Sequence, residues 1–239
     1  MTLLTDLAPV AVERESRELL LVWQNPSTRR FSTVGLLFIS SRGFRFRYAE
    51  EAKADPDFFP LAEFPHLERE YASPSLPAFF ANRVMSAARN SYDDYLGWLA
   101  LDAQSPDLPV EILVRTGAAR ATDTFHVVEK PSRRTRFFVS RFFVSGVRHQ
   151  PAQAVAVGAV STGDRLDLEP EAGNSANADA HRVVTLDGAA VGWVPDWLCG
   201  EIAELAEAGW RFDAVAEKVS PDAPPHIQVL CRVTAHLDA

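Results

Sequence analysis

Hydrophobic and polar residues near the start of the chain form short alternating runs, which predict β-strands. The segment ELLLVWQNPSTRRFSTVGLLFISSRGFRFRYAE contains three such runs, separated by turn residues, at 19–24, 32–39 and 44–48. Side chains alternate along a strand, so Phe44, Phe46 and Tyr48 share one face of the third run. Arg45 and Arg47 share the other face. We predict an antiparallel β-meander with an inner aromatic face and a solvated basic face.

The segment after this meander predicts a proline-rich ordered loop and then short helices. Residues 52–75 contain DPDFFPLAEFP and SPSLP, which disfavour a long helix. Three hydrophobic patterns with helical spacing follow, at 76–84, 92–99 and 110–116. Ser91 precedes the second pattern as an N-cap, and Asp93 and Asp94 fall in its first turn, where the helix dipole favours carboxylates. A further strand is predicted at 124–128.

The second half of the chain predicts a set of short strands with one helix. Strand patterns lie at 136–149, 154–160, 165–169, 181–186, 189–194, 212–219 and 227–235. The dipeptide at 187–188, Asp-Gly, indicates a hairpin turn. A helix is predicted at 195–207, because Pro195 suits a first turn and Gly209 suits a C-terminal stop. This arrangement favours a small OB-like β-barrel with one capping helix, which places the whole chain in the α+β class.

The charge of the chain is acidic overall but unevenly distributed. The formal net charge is −8, and residues 134–239 contain 9 Lys and Arg against 14 Asp and Glu, a net charge of −5. Tight non-specific binding to duplex DNA needs many phosphate contacts, so this composition disfavours it. Basic stretches without any acid occur at 29–47 and at 130–163. The second stretch contains five arginines among phenylalanines: Arg133, Arg134, Arg136, Arg141 and Arg148.

The stretch RRTRFFVSRFFVSGVRH combines positive charge with aromatic rings. Binding of single-stranded nucleic acid uses both, because bases stack on rings and phosphates contact cations. Arg141 in this stretch and Trp193 on a neighbouring predicted strand supply one of each. Both faces of the strand are apolar, however, so we expect most of its phenylalanines to pack in the core or against the other domain. Function is then limited to the turn end at Arg148 and His149.

Motifs for catalysis, metals or cofactors do not occur in the sequence. There is no nucleophile elbow, P-loop, HExxH, GxGxxG or kinase loop, and the six histidines lack ligand spacing. The two cysteines, Cys199 and Cys231, lack CxxC spacing and are predicted to be buried thiols. We predict a non-enzyme without cofactor or metal. A weaker alternative is a cryptic hydrolase at a pocket of His149, Asn174, Asn177 and His181.

The organisation of the chain is predicted to be two domains joined by a linker. The segment at 130–136, KPSRRTR, has a different composition from its flanks and no periodicity, so it separates a module at 1–129 from a barrel at 137–239. No run of about 18 apolar residues occurs, and the first residues lack the pattern of a signal peptide. We therefore expect a cytoplasmic protein.

Four motifs of the C-terminal half occur together: FFVSGVRH, GDRLDLEPE, GNSANADAHRVV and DGAAVGWVPDWLCGEI. Through them, residues 137–235 resemble a HIRAN domain. The resemblance implies an OB-like barrel that holds the 3′ end of single-stranded DNA in an aromatic and polar pocket. Matched to that pocket, Arg148 and His149 take the places of a basic residue and an aromatic. Asn174 and Asn177 take the places of loop residues that hold the terminal nucleotide, and Gln150 replaces a second stacking aromatic.

The N-terminal half contains a different set of motifs, among them LLVWQNPSTRRFSTVGLL, PLAEFP, PAFFANRVMS and YLGWLAL. Through these, residues 18–128 are similar to the N-terminal subdomain of HipA-type toxins. Phe79, Phe80 and Asn82 match that family's P-F-F-x-N helix start, while the kinase core that normally follows it is missing. The resemblance implies a docking element, so we predict that these three residues, with Arg45 and Arg47, bind a protein partner.

Two functions from different classes follow from these observations. The first is a non-catalytic adaptor whose C-terminal barrel binds single-stranded DNA or DNA 3′ ends through Arg148, His149, Asn174, Asn177, Arg141 and Trp193, while the N-terminal module binds a protein. The second is a protein-interaction or antitoxin-like factor that restrains a separately encoded HipA-type kinase. In the second function DNA binding is lost, which the acidic C-terminal half and Gln150 would permit.

Overall fold

The structure is a computed structural model and describes residues 17–130, 137–147, 158, 160–175 and 177–237. Its N-terminal half contains one antiparallel sheet of five strands: β1 at Arg17–Gln24, β2 at Phe31–Ser40, β3 at Gly43–Tyr48, β4 at Glu70–Ser73 and β5 at Phe125–Glu129. The strand order is β4-β3-β2-β1-β5. The predicted meander is therefore confirmed as the centre of this sheet, and one further strand is added at each edge.

The two faces of β3 differ as the alternation predicts. Phe46 and Tyr48 are buried, whereas Arg45 and Arg47 are exposed. The Phe46 ring stacks on Phe64 at 4.4 Å between centroids. The Tyr48 hydroxyl donates to the carbonyl of Phe64 at 2.9 Å and accepts the N–H of Leu61 at 2.7 Å. These contacts fix the proline-rich segment on the sheet, which explains why a segment without a long helix is ordered.

Four short helices lie in this half: α1 at Glu50–Ala54, α2 at Ala78–Ala81, α3 at Tyr92–Trp98 and α4 at Leu108–Thr116. The last three agree with the predicted helical patterns. Ser91 lies at the N-cap position of α3, as predicted, but its side chain makes no capping hydrogen bond. Its backbone has φ −90° and ψ 13°, whereas a capping side chain needs an extended backbone. Asp93 and Asp94 do lie in the first turn of α3.

The C-terminal half contains a curled six-stranded sheet and one longer helix. Its elements are β6 at Phe137–Phe143, β7 at Arg165–Pro170, β8 at His181–Thr185, β9 at Ala190–Trp193, α5 at Asp196–Glu207, β10 at Arg211–Val219 and β11 at Val229–His236. The strand order is β6-β11-β10-β7-β8-β9. These elements agree closely with the predicted strands and helix, while the strand predicted at 154–160 lies almost entirely outside the described residues.

The two ends of the curled sheet meet just after β6. Ser145 forms an antiparallel bridge with Trp193 of β9, with distances of 2.8 and 2.9 Å between the backbone nitrogen and oxygen atoms. Two glycines permit this approach. A Cβ at Gly192 would overlap the carbonyl oxygen of Ser145 and lie 2.6 Å from Val144 Cγ1, and a Cβ at Gly146 would lie 2.6 Å from the Trp193 ring. We call this bridge the seam of the curled sheet.

The two halves share a buried hydrophobic cluster. Leu20 of β1 and Val128 of β5 belong to the same cluster as Val144 and Leu198 of the C-terminal half. Leu21 points to the opposite face of β1 and packs with the N-terminal helices. Strand β1 is therefore buried on both faces, which explains its unbroken apolar run. No helix within the described ranges is long and apolar enough to cross a membrane.

Candidate nucleic-acid interface

Trp193 is held at the seam by both its backbone and its ring. Its backbone is bridged to Ser145, and its ring lies against the backbone of Gly146, which has φ 68°. Positive φ and the missing Cβ are both properties of glycine, so this residue allows the ring to approach closely. The indole remains partly exposed. A rigid aromatic face therefore lies at the seam, beside Gly146.

Glu171 connects Trp193 to the loop between β7 and β8. Its Oε2 accepts hydrogen bonds from Trp193 Nε1 at 2.9 Å and from Asn174 Nδ2 at 2.6 Å. The bonds from Asn174 and Trp193 hold the pKa of the Glu171 carboxyl below its ordinary value. At neutral pH the group is thus a carboxylate that orients an amide and an indole at the same time.

Asn177 continues this network toward the helix α5. Its backbone N–H donates to Asn174 Oδ1 at 3.1 Å, and its Nδ2 donates to Asp196 Oδ1 at 3.3 Å. Asn177 Oδ1 in turn accepts the N–H of Asp179 at 3.0 Å. We refer to Glu171, Asn174, Asn177, Trp193 and Asp196 together as the seam cluster. Its side chains are positioned by one another, so the loop presents a fixed polar surface next to the indole.

The structure brings together three of the six residues predicted to bind nucleic acid. Asn174, Asn177 and Trp193 all lie in the seam cluster. Arg148 and His149 lie outside the described residues. The predictions for these five residues stay predictions of binding, because no nucleic acid is present to test them.

Arg141, the sixth predicted residue, lies away from the seam cluster. It belongs to β6 and donates from Nε to both carboxylate oxygens of Glu217, at 2.8 and 2.9 Å. It also lines a cavity against the N-terminal half. Two further residues of the cluster, the carboxylates Glu171 and Asp196, were not predicted from the sequence to belong to the site. Glu171 is the last residue of the GDRLDLEPE motif, directly before the asparagine loop. This position in the sequence is the signal that could have identified it.

The residues predicted to bind a protein partner lie in two places on the N-terminal half. In α2, Phe80 is completely buried and Phe79 is partly exposed, while Asn82, which directly follows the helix, is exposed. The backbone N–H groups of Ala78 and Phe79 donate to the Glu63 carboxylate at 2.9 and 2.6 Å, which fixes the start of this helix. The Phe80 ring therefore serves the core, and the accessible surface of α2 is formed by its neighbours.

Arg83, which follows α2, anchors this helix to the sheet. Its guanidinium lies 4.3 Å from the centroid of Phe79 and donates to Asp123 at 2.6 Å. On β3, the exposed Arg45 and Arg47 lie 5.5 and 5.6 Å from the Phe38 centroid, and Arg45 pairs with Glu70 at 3.3 Å. The two predicted partner surfaces are thus separate features, one on α2 and one on the basic face of β3.

Of the two histidines considered for hydrolysis, His149 lies outside the described residues, so that alternative stays a prediction. His181 is buried, and its Nδ1 lies 2.8 Å from the carbonyl oxygen of Asp179. Neither cysteine is available either, because burial raises the pKa of the Cys199 and Cys231 thiols to about 12. Within the described residues, no group of three or more His, Cys, Asp and Glu could hold a metal ion.

The C-terminal half is thus a small antiparallel β-domain closed at a polar and aromatic seam. Residues 137–238 match the family model described as "HIRAN domain", so the chain contains a HIRAN domain over this range. This match confirms the resemblance of the C-terminal half and implies a DNA-binding domain. The likeness of the N-terminal half to HipA-type subdomains stays a prediction.

Solved structures with similarity to the chain include the crystal structure of the HIRAN domain of human HLTF. It is 17% identical with a TM-score of 0.32, over 41% of this chain and 72% of that chain. A crystal structure of a protein from Lactobacillus plantarum is 20% identical with a TM-score of 0.35, over 43% of this chain and 99% of that chain. Among curated proteins, the chain has no match.

Proposed function

We propose that the chain is a non-catalytic two-domain adaptor whose HIRAN domain binds single-stranded DNA, with its 3′ end at the seam cluster. The observation that supports this proposal best is the seam itself, within the residues that match the family. There the Glu171 carboxylate joins the Trp193 indole to the Asn174 amide, and the Asn177 backbone N–H donates to Asn174 Oδ1. The N-terminal module then binds a protein, which the HipA-like resemblance supports.

The chemistry of the seam cluster suits a strand end better than the middle of a duplex. A partly exposed indole offers one stacking surface, which is worth about 1–3 kcal/mol for a base. The amides offer donors and acceptors to a base edge or a sugar. Glu171 and Asp196 repel phosphate, so a terminal 3′-hydroxyl is favoured over a 3′-phosphate at this place. Arg148, next along the chain from the seam, is the proposed contact to the first internal phosphate.

Fluorescence anisotropy of a labelled oligonucleotide tests this proposal. The strand is presented with a free 3′-hydroxyl, with a 3′-phosphate, and as a blunt duplex, at low and moderate salt. We expect the free 3′-hydroxyl strand to bind at least about tenfold more tightly than the other two. The double variant Arg148→Ala/Asn174→Ala should lose this preference.

A matched pair of tryptophan variants locates the binding surface. Trp193→Phe keeps an aromatic face but removes the indole N–H that donates a hydrogen bond to Glu171. Trp210→Phe changes a partly exposed tryptophan outside the seam cluster. We expect only the Trp193 variant to weaken binding. Equal loss in both variants, or equal binding of all three oligonucleotide forms, would contradict the assignment of a 3′ end to the seam.

The carboxylates of the seam cluster also favour a second candidate function. Glu171 and Asp196 place negative charge where a DNA phosphate would approach, in a half of net charge −5. In this second function the chain binds no DNA, and its N-terminal module restrains a HipA-type kinase through α2. A purified HipA-type kinase that keeps its full autophosphorylation rate with a tenfold excess of the chain would contradict it, and Phe79→Ala should relieve any inhibition observed.

A further inference from the structure

A polar cavity of about 250 Å³ lies where the two halves of the chain meet. The N-terminal half contributes Arg17, Arg115 and Lys130 together with two glutamates, while β6 of the HIRAN domain contributes Arg141 and Phe137. The cavity is therefore complete only when both halves are packed together. It lies away from the seam cluster, because none of the five residues of that cluster lines it.

The carboxylates that line the cavity are already occupied by Arg17. Its Nε donates to Glu129 at 2.8 Å and its Nη1 donates to Glu111 at 2.6 Å. Burial opposes the charge of this guanidinium, but the hydrogen bonds and charges of Glu129 and Glu111 raise the pKa of Arg17 overall. Lys130 pairs with Glu18 at 3.0 Å. The other two cations of the lining, Arg115 and Arg141, have further contacts, and Arg115 Nε also lies 3.9 Å from Glu111.

Arg115 and Arg141 both lie near the Glu217 carboxylate, which a third arginine also uses, and Arg115 Nη1 donates to two backbone carbonyl oxygens. Glu217 accepts from Arg141 at 2.8 Å, pairs with Arg232 at 3.0 Å, and lies 3.7 Å from Arg115 Nη1. Burial and the charge of Arg141 lower the pKa of Arg115, and its buried Nε has no hydrogen-bond partner. The two guanidiniums thus repel each other, although Glu111 and Glu217 lie near them, and a bound anion would relieve this repulsion.

The rim of the cavity adds an aromatic ring. Phe137 is 54% exposed, which is unusual for a phenylalanine among the described residues. A ring at the edge of a cationic cavity can stack a nucleobase, while guanidinium groups bind phosphate with two parallel hydrogen bonds. The cavity is smaller than the roughly 300–1,000 Å³ of common ligand pockets. A phosphate fits inside it, and a base must then lie outside on the ring.

We propose that this junction cavity is a second site, which binds the phosphate of a nucleoside monophosphate between Arg115 and Arg141 and stacks its base on Phe137. The ligand joins the two halves of the chain, because its two guanidinium contacts come from different halves. This site is independent of the DNA-binding function proposed for the seam. A free nucleotide and a terminal nucleotide of a strand share the required chemistry.

Isothermal titration calorimetry of the full chain with adenosine 5′-monophosphate, inorganic phosphate and adenosine tests this proposal. We expect saturable binding of the monophosphate, weaker binding of phosphate and no binding of adenosine. Phe137→Ala should weaken binding of the monophosphate about fivefold and leave binding of phosphate unchanged, since a lost base stack costs about 1 kcal/mol. A 5′-phosphorylated dinucleotide, added as a further arm, distinguishes a strand end from a free nucleotide by which of them binds more tightly.

The matched control is the pair Arg141→Gln and Arg232→Gln. Both arginines bind Glu217 and face each other across β6 and β11, but only Arg141 lines the cavity. We expect Arg141→Gln to weaken binding of the monophosphate at least about tenfold and Arg232→Gln to change this affinity less than about twofold. Asn174→Ala at the seam should leave monophosphate binding unchanged.

Three results would overturn the proposal. They are no saturable binding of monophosphate or phosphate below about 10 mM, equal loss in Arg141→Gln and Arg232→Gln, and loss of monophosphate binding in Asn174→Ala, which would assign the nucleotide to the seam. Circular dichroism of each variant shows whether it is folded. Should Arg141→Gln unfold, Arg141→Lys replaces it, because lysine keeps the charge but loses the paired hydrogen bonds and should still weaken binding.

Discussion

The N-terminal sheet and the curled sheet bury their hydrophobic residues in different ways. The N-terminal sheet stays open at its edge strands β4 and β5, and other elements cover both of its faces, with Leu21 packed on one side and Leu20 on the other. The curled sheet brings its own two ends together at Ser145 and Trp193. The first sheet therefore relies on elements packed against its faces, and the second also relies on two glycines, Gly146 and Gly192, that permit its ends to approach.

This difference explains why binding chemistry gathers in the curled sheet. Backbone groups of the first and last strands approach at the seam, and the loop between β7 and β8 lies beside them with its amides and Glu171. In the N-terminal sheet, core residues of both halves fill much of the two faces, while the basic face of β3 and part of the surface of α2 stay accessible. The comparison can be tested by substitutions that add or remove atoms in each sheet.

The largest expected effect is that of adding one carbon at the seam. Gly192→Ala forces a Cβ against the Ser145 carbonyl and Val144, both of which are fixed, so we expect a loss of about 3–5 kcal/mol in the free energy of unfolding. Urea denaturation measures it. Gly200→Ala in α5 is the control, because nothing lies within 4 Å of the added carbon, and alanine should stabilise that helix by up to about 1 kcal/mol.

Removing atoms from β1 should have the next largest effect, and its location depends on the face. Leu20→Ala and Leu21→Ala each empty a buried position and should cost about 2–4 kcal/mol. Hydrogen exchange distinguishes them: Leu20→Ala should lower protection in the curled sheet as well as in β1, and Leu21→Ala only in the N-terminal sheet. Identical exchange patterns would mean that the two faces of β1 do not serve different halves.

A half-buried histidine between the halves should make stability depend on pH. Burial, assisted by the charge of Arg83, lowers the pKa of His126 to about 4, and its ring stacks on Trp197 of α5 at 6.0 Å. Between this value and 6.5 the unfolded chain binds the proton and the folded chain does not, so stability falls as the pH falls through this window. The full effect is on the order of 2–3 kcal/mol.

The substitution that tests this dependence is His126→Phe, with the exposed His226→Gln as its control. Phenylalanine keeps a ring against Trp197 but takes up no proton. We expect urea midpoints of the His126 variant to vary less with pH between 7 and 4 than those of the natural chain and of the His226 variant. An unchanged pH slope in His126→Phe would show that this histidine is not responsible.

The smallest expected effect concerns the charge of the seam cluster. Glu171→Gln keeps an acceptor for Trp193 or Asn174 but removes a negative charge from the DNA-binding surface. We expect single-stranded DNA to bind about threefold more tightly, with the difference shrinking as salt is added. Anisotropy titrations at two salt concentrations measure this change. Glu204→Gln on α5 is a control of equal charge outside the cluster, and an equal gain there would point to a general charge effect.

The sequence predicted most of the elements because their patterns are local. The alternation in β3, the Asp-Gly turn at 187–188 and the helix between Pro195 and Gly209 each depend on neighbouring residues. The edge strand β4 was missed because EYAS is short and half polar, and it is a strand only through its pairing with β3. Ser91 lies at the predicted N-cap position, but its side chain makes no capping bond, because the backbone there is not extended.

The site was less predictable because its geometry depends on residues that are distant in the sequence. The asparagine loop and the V-G-W strand were both identified, but the bridge between Ser145 and Trp193 joins residues 48 positions apart. The hydrogen bonds that Glu171 accepts have no signal in hydrophobic periodicity. Arg141 was assigned to DNA on composition alone, and its pairing with Glu217 required the register of β6 and β11.

Photo-crosslinking tests the central claim, that the seam cluster holds the end of a DNA strand. A short single strand with 5-iodouracil as its 3′-terminal base is irradiated with the full chain, and the modified peptide is identified by mass spectrometry. The account predicts a crosslink to Trp193 or within 171–177, with Trp193→Phe moving it or reducing its yield. Crosslinks confined to the N-terminal half, for instance at Phe38 or Phe79, would contradict it.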